Sequence, residues 1–417
     1  MWQGRGQGRY GRSMIGVLGP GDVKLPGGRS VEFANLDIAA TAPCLDVVAQ
    51  AVSSLLPWYG SVHRGAGALS ERCTREYEQA RETVAEFLGR GADDTVVFTR
   101  NTTDALNLLA HALPPGTTVV TFDAEHHANL LPWRNPVRIG APATPAEAVA
   151  LLDAGLAGID GPVLVAVTAA SNVTGEVWPV AELTEVAHRH GARIAVDAAQ
   201  LAPHDPAALA ALDADYVAIS GHKLYAPFGA GALAGRADWL DAAEPYLAGG
   251  GATSAVTADL RPTWNSGAAR HEAGTPNLIG AVAMATACRA LTDADLSGEH
   301  ALVDRFRAGI AELPHVEELR LFPAGAPRVG IVSFAVLGAD PDELGTTLGH
   351  RHGIGVRVGL FCAHPLTRRL LTEAAGRLGE KKAPPPAALR ASFGVGTKPE
   401  HVDRLIEVLR GLPLLGE

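Results

Sequence analysis

The chain has 417 residues, 47% of them hydrophobic, and a formal net charge of −10 spread along its length. That apolar content can bury a sizeable core, which excludes disorder as the global state, and the length predicts two or three domain-sized units. The scattered negative charge argues against a nucleic-acid or anionic-membrane partner and leaves small molecules as the expected clients.

The first dozen residues, "MWQGRGQGRYGR", offer little that could pack. "GQGRYG" matches the GxGxxG pattern of dinucleotide sites, but no strand precedes it and no helix follows, so residues 1–30 read as a tail, flexible at its start. No apolar h-region is present at the N-terminus and no stretch reaches about eighteen apolar residues, so neither a secretory signal nor a spanning helix is expected and the cytoplasm is the expected location.

From "NLDIAA" at residue 35 onward, strands and amphipathic helices alternate. In "ERCTREYEQARETVAEFLG", Cys73, Tyr77, Ala80, Val84 and Phe87 recur at helical spacing, with Gly89 placed to end the helix. Short apolar runs follow in "DTVVFT", "TTVVTFDA", "GPVLVAVTAAS", "RIAVDAA" and "DADYVAIS", separated by helical stretches such as "VAELTEVAHRHG". This predicts an α/β class with a mainly parallel sheet covered on both faces, assigned to a large domain over 31–285. From 286 to 417 the order is helix "ALVDRFRAGIAEL", strand "VGIVSFAVLG", helix "PDELGTTLGHRHG" and closing helix "PEHVDRLIEVLRGL". That is a smaller α+β domain, joined by part of the N-terminal segment.

Cys44, Cys73, Cys288 and Cys362 stand far apart with no CxxC or ligand-like spacing, so neither a disulfide framework nor a metal site is expected. Any cysteine with a role acts alone, and Cys73 belongs to the core.

Several predicted strands end in polar residues: Asn172 after one, Asp197 and Gln200 after a second, Ser220, His222 and Lys223 after a third. An Asp and a Lys that each close a buried strand need each other, as a structural ion pair, or a ligand. Pyridoxal 5'-phosphate would use the whole set, since it needs a lysine for its Schiff base, a carboxylate at the ring nitrogen and donors for the phosphate. "FTRNTTDALNLLA" supplies a strand, a polar turn with Thr102 and Thr103, and a helix whose free N–H groups suit a phosphate. Alternatively the threonines form an ordinary N-cap.

These motifs resemble the class V aminotransferase group of fold type I pyridoxal-phosphate enzymes, and within it the Suf-type (group II) cysteine desulfurases and selenocysteine lyases. The likeness is collinear from "NLDIAATAP" through "GSVHRGAGALSERCTREYEQAR", "EHHANLLPWR", "SNVTGEVWPV", "VDAAQLAPHDP", "SGHKLYAPFGAGAL" and "HEAGTPN" to "GIGVRVGLFCAHPL" and "RASFGVGT". It implies that Lys223 carries the cofactor and shuttles protons at Cα, that Asp197 pairs with the ring nitrogen, and that Gln200 meets the phenolic oxygen. His126 would stack on the ring and act as an acid–base group, whereas His127 reads as a satisfied core residue. Thr102, Thr103, Ser220 and His222 would bind the phosphate, and Thr275 would reach the phosphate of a neighbouring subunit in a homodimer. Asn172 and Arg390 would hold the substrate carboxylate, with Arg357 as a second contact. Cys362 stands where the family carries its sulfur acceptor, which implies L-cysteine or a related amino acid as substrate and a protein that receives the sulfur.

The chain departs from the Suf-type pattern in two places. Leu360 and Phe361 replace polar histidines before the cysteine, which predicts a desolvated thiol and an alkaline shift in activity. The Lys-then-Pro run in "GEKKAPPPAALR" reads as an exposed linker. Two other readings stay open: β-elimination, racemisation or transamination with Cys362 a bystander, and a cofactor-binding scaffold without turnover.

Overall fold

The structure, a computed structural model, describes residues 15–377 and 384–412. The five apolar runs form strands at Asp94–Thr99, Thr118–Phe122, Val163–Thr168, Arg193–Asp197 and Tyr216–Ser220. Val137–Ile139 and Gly231–Arg236 join them in a seven-stranded sheet, ordered 94–99, 231–236, 216–220, 193–197, 163–168, 118–122, 137–139. Gly231–Arg236 runs antiparallel to both its neighbours, and the remaining pairs are parallel.

Alternation along each strand sends side chains to two separate cores, as a strand's period of two requires. Val165, Val167, Ile194 and Val196 face helices Asp46–Leu55, Ala68–Phe87 and Leu278–Asp293, whereas Leu164, Ala166 and Ala195 face helix Thr102–Ala112. Helix Ala68–Phe87 buries Cys73, Tyr77, Ala80, Val84 and Phe87, the spacing read from the sequence. Beyond it Gly89 adopts φ 63°, and a side chain there would collide with the carbonyl of Ala210.

A second, antiparallel sheet orders Val316–Leu319, Ile331–Val336, Ala388–Ser392 and Arg357–Gly359. Helices Gly298–Ala311, Pro341–His352 and Pro399–Arg410 cover it around Phe306, Phe334 and Phe393. Strand Ala34–Asn35 pairs in parallel with Ile354–Gly355, and Ala34 and Leu36 sit in this core. Helix His364–Arg377 instead packs Leu366, Leu370 and Leu371 into the large core, so the loop before it lies at the seam between the two sheets.

The tail reading needs correction. Asp22–Lys24 pairs with Ser30–Glu32 in an antiparallel hairpin, turned by Gly27 and Gly28 at φ 88° and 83°. The "GQGRYG" pattern and the lysines of the linker lie outside the described residues. Among the described residues no helix is long and apolar enough to cross a membrane.

Candidate active site

The parallel strands 163–168, 193–197 and 216–220 lie side by side, so their carboxyl ends open together, where α/β sheets bind ligands. Asp197 is the last residue of its strand, and its Oδ1 accepts the Ala199 N–H at 3.0 Å. Lys223 follows the next strand in a turn closed by its own N–H to the Ser220 carbonyl at 3.2 Å. Burial pushes the Lys223 amine down to about 8, against the upward pull of Asp197 and with a further downward push from Arg390. Burial raises the Asp197 carboxyl, against Lys223. The two feel each other's charge, yet among the described residues they form no ion pair, which corrects the reading of a simple structural Asp–Lys bridge.

At one end of the cavity Asn101 caps helix Thr102–Ala112, its side chain accepting the Asp104 N–H at 3.0 Å. The N-cap reading of the threonines is therefore corrected by one residue: Thr102 and Thr103 form the first turn. Thr102 donates its N–H to Ser220 Oγ and shares a second hydrogen bond with it through Oγ1, both at 2.8 Å, which ties the helix start to the strand end. Thr103 is exposed beside them. Gly231 must be glycine because a Cβ there would sit 2.6 Å from Asn101 Cα.

Thr102, Thr103, His126, Asn172, Asp197, Gln200, Ser220, His222, Lys223, Arg357, Cys362 and Arg390 all line this one cavity of about 230 Å³. Thr275 does not; it lines a separate cleft with His63, Arg64 and Asn265. His126 is pushed down to about 3, first by burial and then by Lys223. Its Nδ1 accepts the Ala128 N–H at 3.0 Å, so a neutral ring carries its proton on Nε2. Burial also lowers His222. Gln200 donates Nε2 to the Ala39 carbonyl at 3.0 Å, while its buried Oε1 has no partner.

Arg390 is buried, which lowers it to about 10. Its Nη1 donates to the Asn172 carbonyl at 2.8 Å, its Nη2 lies 3.5 Å from Asp37, and its Nε has no partner. Arg357 is exposed and contacts the same Asp37 at 3.8 Å. Cys362 is exposed, which corrects the expectation of a desolvated thiol: Phe361 turns into the core and Leu360 packs against it, leaving the thiol on the open side.

Sequence reasoning missed four residues. Asp37 bridges both arginines, its carboxyl raised by burial against Arg390 and then Arg357. It lies two residues beyond strand Ala34–Asn35, inside "NLDIAA" and not at the end of an apolar run, so the criterion applied to Asp197 does not reach it. Asn101 was hidden by its neighbouring threonines. Glu125 is fully buried and pushed up to about 8 by burial, with its oxygens accepting from Thr168 N–H and Asn129 Nδ2. His127 is not the core residue expected: it is half-buried, its N–H donates to the Cys362 carbonyl at 2.7 Å, and its ring meets His364 edge-on at 4.5 Å.

Residues 34–405 match the family described as Aminotransferase class-V, and the chain belongs to that family of pyridoxal-phosphate enzymes. Among its relatives, a probable cysteine desulfurase of Mycolicibacterium paratuberculosis is 38% identical over 90% of this chain and 54% of its own length. A cysteine desulfurase of Klebsiella pneumoniae is 35% identical over 92% of this chain and 94% of its own. The chain thus spans little more than half of the first relative and nearly all of the second. The solved cysteine desulfurase of Thermococcus onnurineus superposes with a TM-score of 0.78 at 32% identity, covering 91% of this chain and 95% of that one. CsdA of Escherichia coli, also a cysteine desulfurase, gives 0.76 at 33% over 91% and 94%.

Proposed function

We propose that the protein is a pyridoxal-phosphate-dependent cysteine desulfurase: L-cysteine plus the Cys362 thiol gives L-alanine plus a persulfide on Cys362. The observation that carries this reading is that Lys223 and an exposed Cys362 open into one cavity together with a buried arginine. The residues present fit the cofactor. Hydroxyls and a helix start at one end suit a phosphate, Asp197 suits a protonated ring nitrogen, and the unpartnered Gln200 Oε1 awaits a polar group. When bound, pyridoxal phosphate supplies the electron sink that makes the substrate's Cα–H acidic and its carbon–sulfur bond labile.

The chain supplies the rest. Lys223, with its amine near 8, has a neutral form at physiological pH that can take a proton from Cα and return it. Neutral His126 presents a flat ring and an Nε2–H, able to donate to an oxygen or sulfur beside it. Arg390 offers the free Nε beside its loosely held Nη2, the edge of a guanidinium that grips a carboxylate with two hydrogen bonds. Cys362, once deprotonated, attacks the substrate sulfur; the new S–S bond forms as the carbon–sulfur bond breaks, and no outside oxidant or reductant is required.

The same reading includes a homodimer in which Thr275 and its cleft serve the neighbouring subunit's phosphate, and an acceptor protein that can reach the exposed persulfide. A cytoplasmic setting is part of it, supported by four free cysteines of which one must stay reduced to act. The test is to incubate the holoenzyme with L-cysteine, identify the carbon product and map the persulfide by mass spectrometry. Alanine with a persulfide on Cys362 supports the proposal. Pyruvate would indicate elimination, a D-amino acid racemisation, and no product a scaffold.

A further inference from the structure

Phe361 and Cys362 both adopt left-handed backbone, at φ 51° and 52°, and neither is glycine. Two such residues in succession persist only where the surroundings hold them. The holding groups are visible. Asn172 Nδ2 donates to the Phe361 carbonyl at 2.7 Å, and His127 N–H donates to the Cys362 carbonyl at 2.7 Å. The Phe361 ring is buried, with the Arg390 guanidinium carbon 5.0 Å from its centroid. Arg390 closes the triangle by donating Nη1 to the Asn172 carbonyl at 2.8 Å. Asn172, Arg390 and Phe361 therefore form one buried unit. One end of it is the buried, unpartnered Nε of Arg390, a residue that lines the cavity, and its other end is the backbone of Cys362.

We infer that Phe361 is a positioning residue that couples capture of the substrate carboxylate at Arg390 to placement of the Cys362 thiol. The ring holds the guanidinium over it, as a cation–aromatic contact does. The carbonyl of the same residue anchors the loop that carries the thiol. A carboxylate that pins Arg390 pins the ring, and through it the left-handed turn. This rests on the reading of Arg390 as the carboxylate clamp, and goes beyond it by assigning the adjacent aromatic a role in ordering the acceptor.

The experiment measures alkylation of Cys362 by iodoacetamide in the holoenzyme, with and without saturating L-alanine, which carries the carboxylate and no sulfur. L-alanine binding is followed in parallel by calorimetry. In the wild type L-alanine should slow alkylation by at least about fivefold, the low end of coupling between linked sites. Phe361→Asn keeps a residue that tolerates left-handed backbone but removes the ring. It should raise KM for L-cysteine more than it lowers kcat, and it should lose the L-alanine effect while still binding L-alanine at higher concentration. Phe361→Tyr should restore both. Phe361→Leu, which keeps apolar bulk without an aromatic face, should behave as the Asn variant and covers the case in which that variant does not fold. A wild type indifferent to L-alanine overturns the inference. So does protection that survives in Phe361→Asn or Phe361→Leu, because L-alanine would then be shielding the thiol by bulk alone. Failure of the underlying clamp reads differently: L-alanine binding would be unchanged in Arg390→Gln. Because alkylation needs no turnover, the result stands apart from whether L-cysteine is desulfurated.

Discussion

The Lys223 amine at about 8 can be measured directly, because a neutral amine reacts with acetic anhydride and an ammonium does not. At pH 7 an amine of ordinary value, about 10.5, is roughly 0.03% neutral, whereas one at 8 is about 9% neutral, a gain of about 300-fold. Competitive acetylation of the apoprotein across pH 6 to 11, read as acetylated Lys223 peptide against a surface lysine, should give a midpoint near 8. The neighbours fix the signs of two controls. Asp197 pulls the amine upward, so Asp197→Asn should lower the midpoint; Arg390 pushes it downward, so Arg390→Gln should raise it. The stability linkage has its own sign. Between 8 and 10.5 the unfolded chain holds the Lys223 proton and the folded apoprotein does not, so this group's contribution to stability rises with pH across that window. Below it the buried amine costs the fold up to about 3 kcal/mol, which Lys223→Met should recover in urea denaturation at pH 7. A midpoint near 10.5, or controls that move the opposite way, would refute the reasoning.

Three further outcomes are expected. In Cys362→Ala, alanine formation from L-cysteine should fall by orders of magnitude while cofactor spectra and substrate binding persist; a variant that keeps the parental rate would assign the thiol a bystander role. His126, lowered to about 3, is neutral in the fold where the unfolded chain would be protonated, so stability should fall as pH drops from 6.5 towards 3. His126→Gln should flatten that loss in thermal melts at pH 4.5 against pH 7. Gly231→Ala puts a Cβ against the Asn101 backbone and should destabilise the fold by about 1–3 kcal/mol in urea denaturation, as overpacking does.

Much of the site was legible because buried strands announce their ends. Asp197, Ser220 and Lys223 each follow an apolar run, and a polar residue there must be satisfied by something. The antiparallel strand Gly231–Arg236 was not legible, since "GALAGR" has no β-branched or aromatic residue and is held as a strand by the pairing of its neighbours on both sides. Local pattern also could not reveal where Leu360 and Phe361 would point: two apolar residues before a thiol read as a greasy surround, but the left-handed turn directs Phe361 inward and Cys362 outward. Asp37 and His127 act on residues hundreds of positions away in sequence, contacts that no local periodicity carries.

The pairing of the N-terminal segment with the second sheet bears on when this site can exist at all. Ala39 donates its N–H to Ser392 Oγ across 353 positions, Ala34 and Asn35 wait for Ile354 and Gly355, and Asp37 waits for Arg390. On the ribosome Ala39 emerges 353 residues ahead of Ser392. The segment that shapes the floor of the cavity must stay unpaired while the seven-stranded sheet assembles, and closing so long a loop is a slow, late event. Nascent chains halted before residue 390 would hold Lys223 and the Thr102–Ser220 junction without Arg390.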